Sequence, residues 1–215
     1  MLDVRRFLTS AKDTVLRHTI TLFLVLALVA ACGSRSASAL YGAQSAFDSG
    51  IVYGKDHAFA VSAPSGWVLD NESGVSQGLH AVFYPTGSSW REARTVMYAN
   101  TVHKADSGRG SRDAVIAGDI QDFTGRGRGA AVRDAESLTT ADGKAAILKL
   151  FHDRDAGNFE VVAYIDEPNV VVMLVLSARS EKERDLATPA FQRLVGSYHF
   201  VTGDVVLPKP NGAPN

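Results

Sequence analysis

Val170-Val171-Val172-Met173-Leu174-Val175-Leu176 is a run of seven apolar residues that no polar side chain interrupts. A strand with one wet face alternates apolar and polar residues, so a run without alternation belongs in the middle of a sheet with cover on both faces. Working back from it, Glu167-Pro168-Asn169 reads as a turn and Asn158 to Asp166 as an antiparallel neighbour. Asp153 to Gly157 turns the chain again, and Lys144 to His152 is the next strand. Asp142-Gly143 is a two-residue hairpin turn leading back to Ala131 to Thr139.

Outside this meander, strand-like runs occur at Ala58 to Ala63, Trp67 to Asp70, Leu79 to Tyr84 and Thr95 to His103, each bounded by Pro, Gly, Asn or Ser. They form a first set of antiparallel strands. The period changes over Ser111 to Phe123: Ser111 can cap a helix, Asp113 lies in its first turn, and Ile116, Ile120 and Phe123 share a face before Gly125 ends it. Ser180-Glu181-Lys182-Glu183 is a capping box opening a second helix, with Leu186, Ala190 and Leu194 on one stripe beside Phe191 and Val195. Pro189 predicts a kink or a restart in that helix. Gly196 closes it before a last strand, Tyr198 to Val201. The order predicts the α+β class, an antiparallel sheet covered by helices.

Phe59-Ala60-Val61-Ser62-Ala63-Pro64-Ser65-Gly66-Trp67 resembles the strand and Pro-x-Gly-Trp opening of the PsbP/Mog1-like superfamily. The closing pattern is also similar, an apolar strand ending in Ser177, a helix with Phe191 and Val195, then Gly196-Ser197-Tyr198-His199-Phe200. The resemblance spans about residues 50 to 201 and implies an α/β/α sandwich. It brings no shared catalytic residues, and it implies a binding or assembly role, which most members have; many others are bacterial lipoproteins of unassigned function.

The chain has 215 residues, 46% hydrophobic and 21% charged, which suits a globular protein with one core. Of its 22 Lys and Arg, four (Arg5, Arg6, Lys12, Arg17) fall in the first 31 residues, with two of its 23 acids (Asp3, Asp13). The remainder is acidic by three, which offers no bulk attraction to nucleic acid or an anionic bilayer. After Arg17, Ile20 to Ala31 is an apolar run of 12 residues, the length of a signal-peptide core and well short of the roughly 20 that a membrane-spanning helix needs. Val29-Ala30-Ala31-Cys32, followed by Gly33 and Ser34, looks like a bacterial lipobox, and Cys32 is the only cysteine. The expectation is a signal peptide over 1–31, a lipidated tether over 32–49, one domain over 50–201 and a Pro-containing tail over 202–215. The membrane is then a partner through lipid on Cys32, at the cell envelope. The alternative is cleavage after Ala39 at Ala37-Ser38-Ala39, giving a secreted chain. Arg5-Arg6 lacks the spacing of a twin-arginine signal.

Few residues carry chemistry. Gly74-Val75-Ser76-Gln77-Gly78 matches the Gly-x-Ser-x-Gly nucleophile elbow, which needs a turn from strand into helix, but Leu79 to Tyr84 reads as a strand. Ser107-Gly108-Arg109-Gly110-Ser111 and Gly125-Arg126-Gly127-Arg128-Gly129 flank the first helix, so Arg109, Arg126 and Arg128 are the candidates for gripping an anion. Asp153 to Asn158 lacks the distal glutamate of a calcium loop, and the six histidines show no i, i+4 pair. No metal or cofactor is expected. Trp67 and Trp90 read as packing residues. The sequence therefore points to an exported, membrane-anchored domain that binds a protein partner or a small hydrophobic or anionic ligand without catalysis. The alternative is a serine hydrolase using Ser76.

Overall fold

In a computed structural model of the chain, residues 49–105, 108–125, 127 and 129–205 are described. They form, in order, β1 (Ser49–Gly54), β2 (His57–Ser62), β3 (Trp67–Asp70), β4 (Val82–Pro85), β5 (Thr95–His103), α1 (Arg112–Thr124), β6 (Ala130–Thr139), β7 (Ala145–Asp153), β8 (Asn158–Asp166), β9 (Val170–Ala178), α2 (Glu181–Gly196) and β10 (His199–Thr202). The expected signal peptide, Cys32, the tether up to residue 48, Arg126, Arg128 and residues 206–215 lie outside the described residues.

The unbroken apolar run is the middle of the sheet. Seven strands are ordered β3-β4-β5-β9-β8-β7-β6, so β9 is fourth, and every one of its nine residues is buried. Its neighbours are antiparallel and in continuous register, Thr95 to His103 on one side and Phe159 to Asp166 on the other. Alternate residues then serve two cores. Val170, Val172, Leu174 and Leu176 join Phe191, Leu194 and Val195 of α2 together with Phe59 and Val61 of β2. The opposite face carries Val162, Tyr164 and Phe151, against which α1 lays Val115, Asp119 and Phe123, with the Phe123 and Phe151 rings edge to face at 5.2 Å.

A helix covers each face of the sheet, as expected, α1 on one side and α2 on the other. On the α2 face a second, three-stranded sheet, β1-β2-β10, completes the layer. The first set of strands is thus divided: β2 leaves β3, β4 and β5 to pair with β1 and with the last strand of the chain. The reason is local. Pro64 to Gly66 makes a turn with Gly66 at φ 82°, and Trp67 N–H donates to the Pro64 carbonyl at 3.0 Å, which redirects the chain between β2 and β3.

Both caps form as their residues require. Ser111 accepts from the Ala114 N–H at 3.3 Å, and Ser180 accepts from the Glu183 N–H at 3.2 Å. In the second cap the Glu183 carboxylate takes the Ser180 hydroxyl at 2.9 Å, where a capping box would have it take a backbone N–H. Pro189 neither ends nor restarts α2, which runs through it from Glu181 to Gly196. Buried Ala187, Ala190, Phe191, Leu194 and Val195 on both sides of the proline hold the helix to the sheet. Proline in a helix interior costs up to about 3 kcal/mol relative to alanine. Pro189→Ala is therefore expected to raise stability by roughly 1–3 kcal/mol, read from the urea midpoint. Leu174→Ala, at a fully buried site, is expected to lower it by about 2–5 kcal/mol.

Candidate functional site

Three tyrosines donate to buried carboxylates, and each bond ties a connection or a helix to a sheet. Tyr84 of β4 donates to Asp70 at 3.0 Å, Tyr164 of β8 to Asp119 of α1 at 3.0 Å, and Tyr198, between α2 and β10, to Glu167 in the β8–β9 turn at 2.9 Å. Burial is the first cause that pushes all three phenols up, and the neighbouring carboxylate adds to it; Tyr84 reaches about 12. The carboxylates differ. Burial would raise Asp70, but the Ser73 hydroxyl, the Ser73 and Glu72 N–H groups and Tyr84 outweigh it and hold the acid below its usual range. At Asp119 burial prevails over the Tyr164 bond and the Arg109 charge, and the acid is pushed up.

Glu167 organises the end of the fold where its turn lies. Its carboxylate is fully buried and takes the Tyr198 hydroxyl and the Lys144 ammonium, while Lys144 also lies 4.7 Å over the Phe200 ring. Its backbone carbonyl accepts from Lys104 at 2.6 Å, and Lys104 pairs with Asp166 at 2.8 Å. These bonds hold the β8–β9 turn against the end of β5, and a cleft of about 570 Å³ opens there. It is lined by Lys55 and Asp56 of the β1–β2 turn, His103 to Ala105, Pro168 and Asn169, and Gly203 to Val205. That volume falls within the roughly 300–1,000 Å³ of small-ligand sites. The lining is polar and apolar in nearly equal parts and carries both charges. Asp56 takes a left-handed φ of 60°, which aspartate tolerates better than most residues.

Behind His103 lies His57, 5% exposed, with the two rings 5.7 Å apart. Its Nδ1 bonds the Lys55 carbonyl at 2.8 Å, its ring stacks on Phe59, and a Cβ at Gly54 would collide with it. Burial pushes the His57 imidazole below its usual range, against the opposing pull of the Lys55 carbonyl, with His103 reinforcing the downward shift.

The residues singled out from the sequence are placed as follows. Ser76 is exposed on a short 3₁₀ turn, Val75–Gln77, between two strands, β3 and β4, so the strand-to-helix elbow is absent. Among the described residues no histidine hydrogen-bonds it. Arg109 lies across α1 at Gly118 and pairs with Asp119 at 3.3 Å and Asp122 at 3.1 Å. It braces a buried acid. Asp153 closes the β7–β8 turn by accepting from the Asp155 and Ala156 N–H groups. Trp90 is buried edge-on to Tyr98, and Trp67 packs at the core margin. No cluster of three or more metal-ligating side chains occurs among the described residues. The cleft itself was not found from the sequence, because its lining comes from four separate turns and strand ends and carries no motif.

Two outcomes are expected. Lys144→Met leaves the buried Glu167 carboxylate without its cation and lowers stability toward the low end of the roughly 3–5 kcal/mol of a broken buried pair, since Lys144 is partly exposed. The second concerns acid. A folded His57 that takes a proton less readily than the unfolded one makes the unfolded chain the more protonated state. Its contribution is therefore full above about pH 6.5 and is lost as the pH falls below that value. Urea midpoints at pH 7.5 and 5.5 should fall in acid, and His57→Gln should reduce the difference.

No family model matches the chain, and no curated protein matches it. Its structure is similar to that of cyanobacterial PsbP (CyanoP) from Synechocystis sp. PCC 6803, at 17% identity over 80% of this chain and 99% of that one, with a TM-score of 0.47.

Proposed function

We propose that this chain is an exported protein, anchored at the cell envelope through lipid on Cys32, whose α+β domain holds a small polar ligand in the cleft beside Glu167 without catalysing a reaction. The observation that carries this reading is the position of the cleft. β1 begins at Ser49, and Lys55 and Asp56 line the cleft just beyond its other end. Six strand residues separate these points by about 17 Å. A tether joined ahead of β1 would thus enter at the end of the first strand away from the cleft.

Three further features support it. Lys55, Lys104 and His103 share the lining with Asp56 and Asp204, which suits a ligand bearing both an anionic group and hydrogen-bond donors. The exposed Ser76 lies on a turn between two strands, and among the described residues no histidine hydrogen-bonds it. Among the described residues no helix is long and apolar enough to cross a membrane.

Native mass spectrometry of the full-length protein, extracted in mild detergent from its own membranes, tests both parts. The expected spectrum starts at Cys32 with added acyl mass and carries a bound small molecule that Ala105→Trp, filling the cleft, removes. A mass starting at Leu40 would overturn the anchor. A bound molecule retained in Ala105→Trp, or none in the wild type, would overturn the cleft.

A further inference from the structure

One wall of the cleft is a two-residue turn, Lys55-Asp56, between β1 and β2. Asp56 sits there in the left-handed region, its N–H reaches the Val205 carbonyl at 3.4 Å, and the hairpin register ends with Gly54 opposite His57. The buried His57 ring ties the turn down from behind, with Nδ1 at 2.8 Å from the Lys55 carbonyl. A carbonyl can only accept, so Nδ1 carries the proton and the neutral ring leaves Nε2 bare. A second proton must therefore go to Nε2. That atom faces Gly54, 2.9 Å from where a Cβ would stand, and among the described residues no carboxylate hydrogen-bonds it.

The charges around the ring do not hold an imidazolium in place. On its own turn Asp56 favours one, but Asp56 is partly exposed and lies 4.0 Å from the Lys55 ammonium. From β5 the His103 ring faces it at 5.7 Å, and from the β3–β4 connection His80 acts in the same sense. The acids of the β8–β9 turn are engaged, Asp166 with Lys104 and Glu167 with Lys144 and Tyr198, and Asp204 in the cleft lining is exposed to solvent. We propose that acid unlatches this wall: a proton taken up by His57 releases the Lys55-Asp56 turn, opens the cleft on that side and lets go what the cleft holds. The open wall hydrates the charged ring and the closed wall buries it, so the proton and the ligand favour opposite states. In the closed wall burial, with His103 and His80, keeps the ring below its usual range, whereas in the open one it titrates near 6.5. The open fraction is therefore unchanged above about pH 6.5 and grows below it, by at most about tenfold between pH 7.5 and 5.5. Release of a ligand rests on the function proposed above; the opening of the wall does not.

Hydrogen exchange of the full-length protein in mild detergent, at pH 7.5 and 5.5 and corrected for the intrinsic effect of pH on exchange, reads the wall directly. Peptides spanning residues 53–58 are expected to open several-fold more at pH 5.5, up to about tenfold. Dilute urea should leave their exchange unchanged while it speeds that of β9, because a local opening exposes little surface. His57→Asn, which keeps a neutral donor near the place of Nδ1, should abolish the effect of acid on the wall. Exchange of residues 53–58 that rises with urea in step with β9 would mean that only the whole domain opens, and would overturn the latch. No added opening at pH 5.5, or the same opening in His57→Asn, would overturn it equally. If His57→Asn fails to fold or stands open at both pH values, the ring signals of labelled histidine in the wild type decide: the opening must follow the titration of His57, and an opening that follows His80 or His103 refutes the latch. Native mass spectra at the two pH values read the release, with several-fold less bound molecule expected at pH 5.5. Equal retention while the wall opens would overturn release; no bound molecule at either pH would overturn the cleft reading, and the exchange data would still judge the latch.

Discussion

Nine consecutive buried residues in β9 impose the constraint from which the architecture follows. A strand dry on both faces has to lie between other strands, and each face of the resulting sheet must be closed by something amphipathic. One face is closed by α1 against β6 and β8 and by Trp90 against Tyr98 of β5. The other is wider and takes α2 together with the three-stranded sheet. That division brings the beginning and the end of the folded unit together, since β1 and β10 both flank β2. The cleft arises where the turn entering β9 meets the turn leaving β1.

With no cysteine beyond Cys32, the domain fastens its parts with polar bonds. The three tyrosine–carboxylate pairs are placed where apolar packing alone leaves the arrangement loosely determined: a strand connection at Asp70, a helix rotation at Asp119, and the junction of the two sheets at Glu167. Each puts a charged group out of water, which is tolerable because every one of these acids has at least two partners. The same bonds specify position. Asp119 can reach Tyr164 in only one rotation of α1, and Glu167 can reach both Tyr198 and Lys144 only with the turn seated between the sheets.

Much of this was legible in the sequence wherever the determinants are local. The absence of alternation in Val170 to Leu176 announced the central strand, Ser111 and Ser180 announced the helix starts, and Asp142-Gly143 announced the hairpin. What was not legible depends on distant pairing. β1 was not read as a strand because two glycines and a serine surround only three apolar residues, and its strand character comes from β2. The separate small sheet depends on β10 finding β2 across more than a hundred residues, which no local pattern encodes. Asp119 was hidden because an acid on the apolar stripe of α1 reads as an interruption until Tyr164 and Arg109 are seen around it. Pro189 was misleading for the opposite reason, since local chemistry predicts a break that the packing of α2 overrides. Of the arginines in the Gly/Arg loops, Arg109 proved to be occupied with its own helix.

The antiparallel pairing of β1 with β2 has a mechanical consequence. Tension entering at Ser49 and leaving through something held at the Lys55–Asp56 turn runs along the axis of β1. That path is the covalent backbone of β1 itself, so the inter-strand bonds, which lie across it, are hardly loaded. Pulling Ser49 against Ser62, its neighbour in the register, would instead open the pair one bond at a time from the end. The domain is therefore stiff along the line from its point of entry to its cleft and weak to peeling at the same strand.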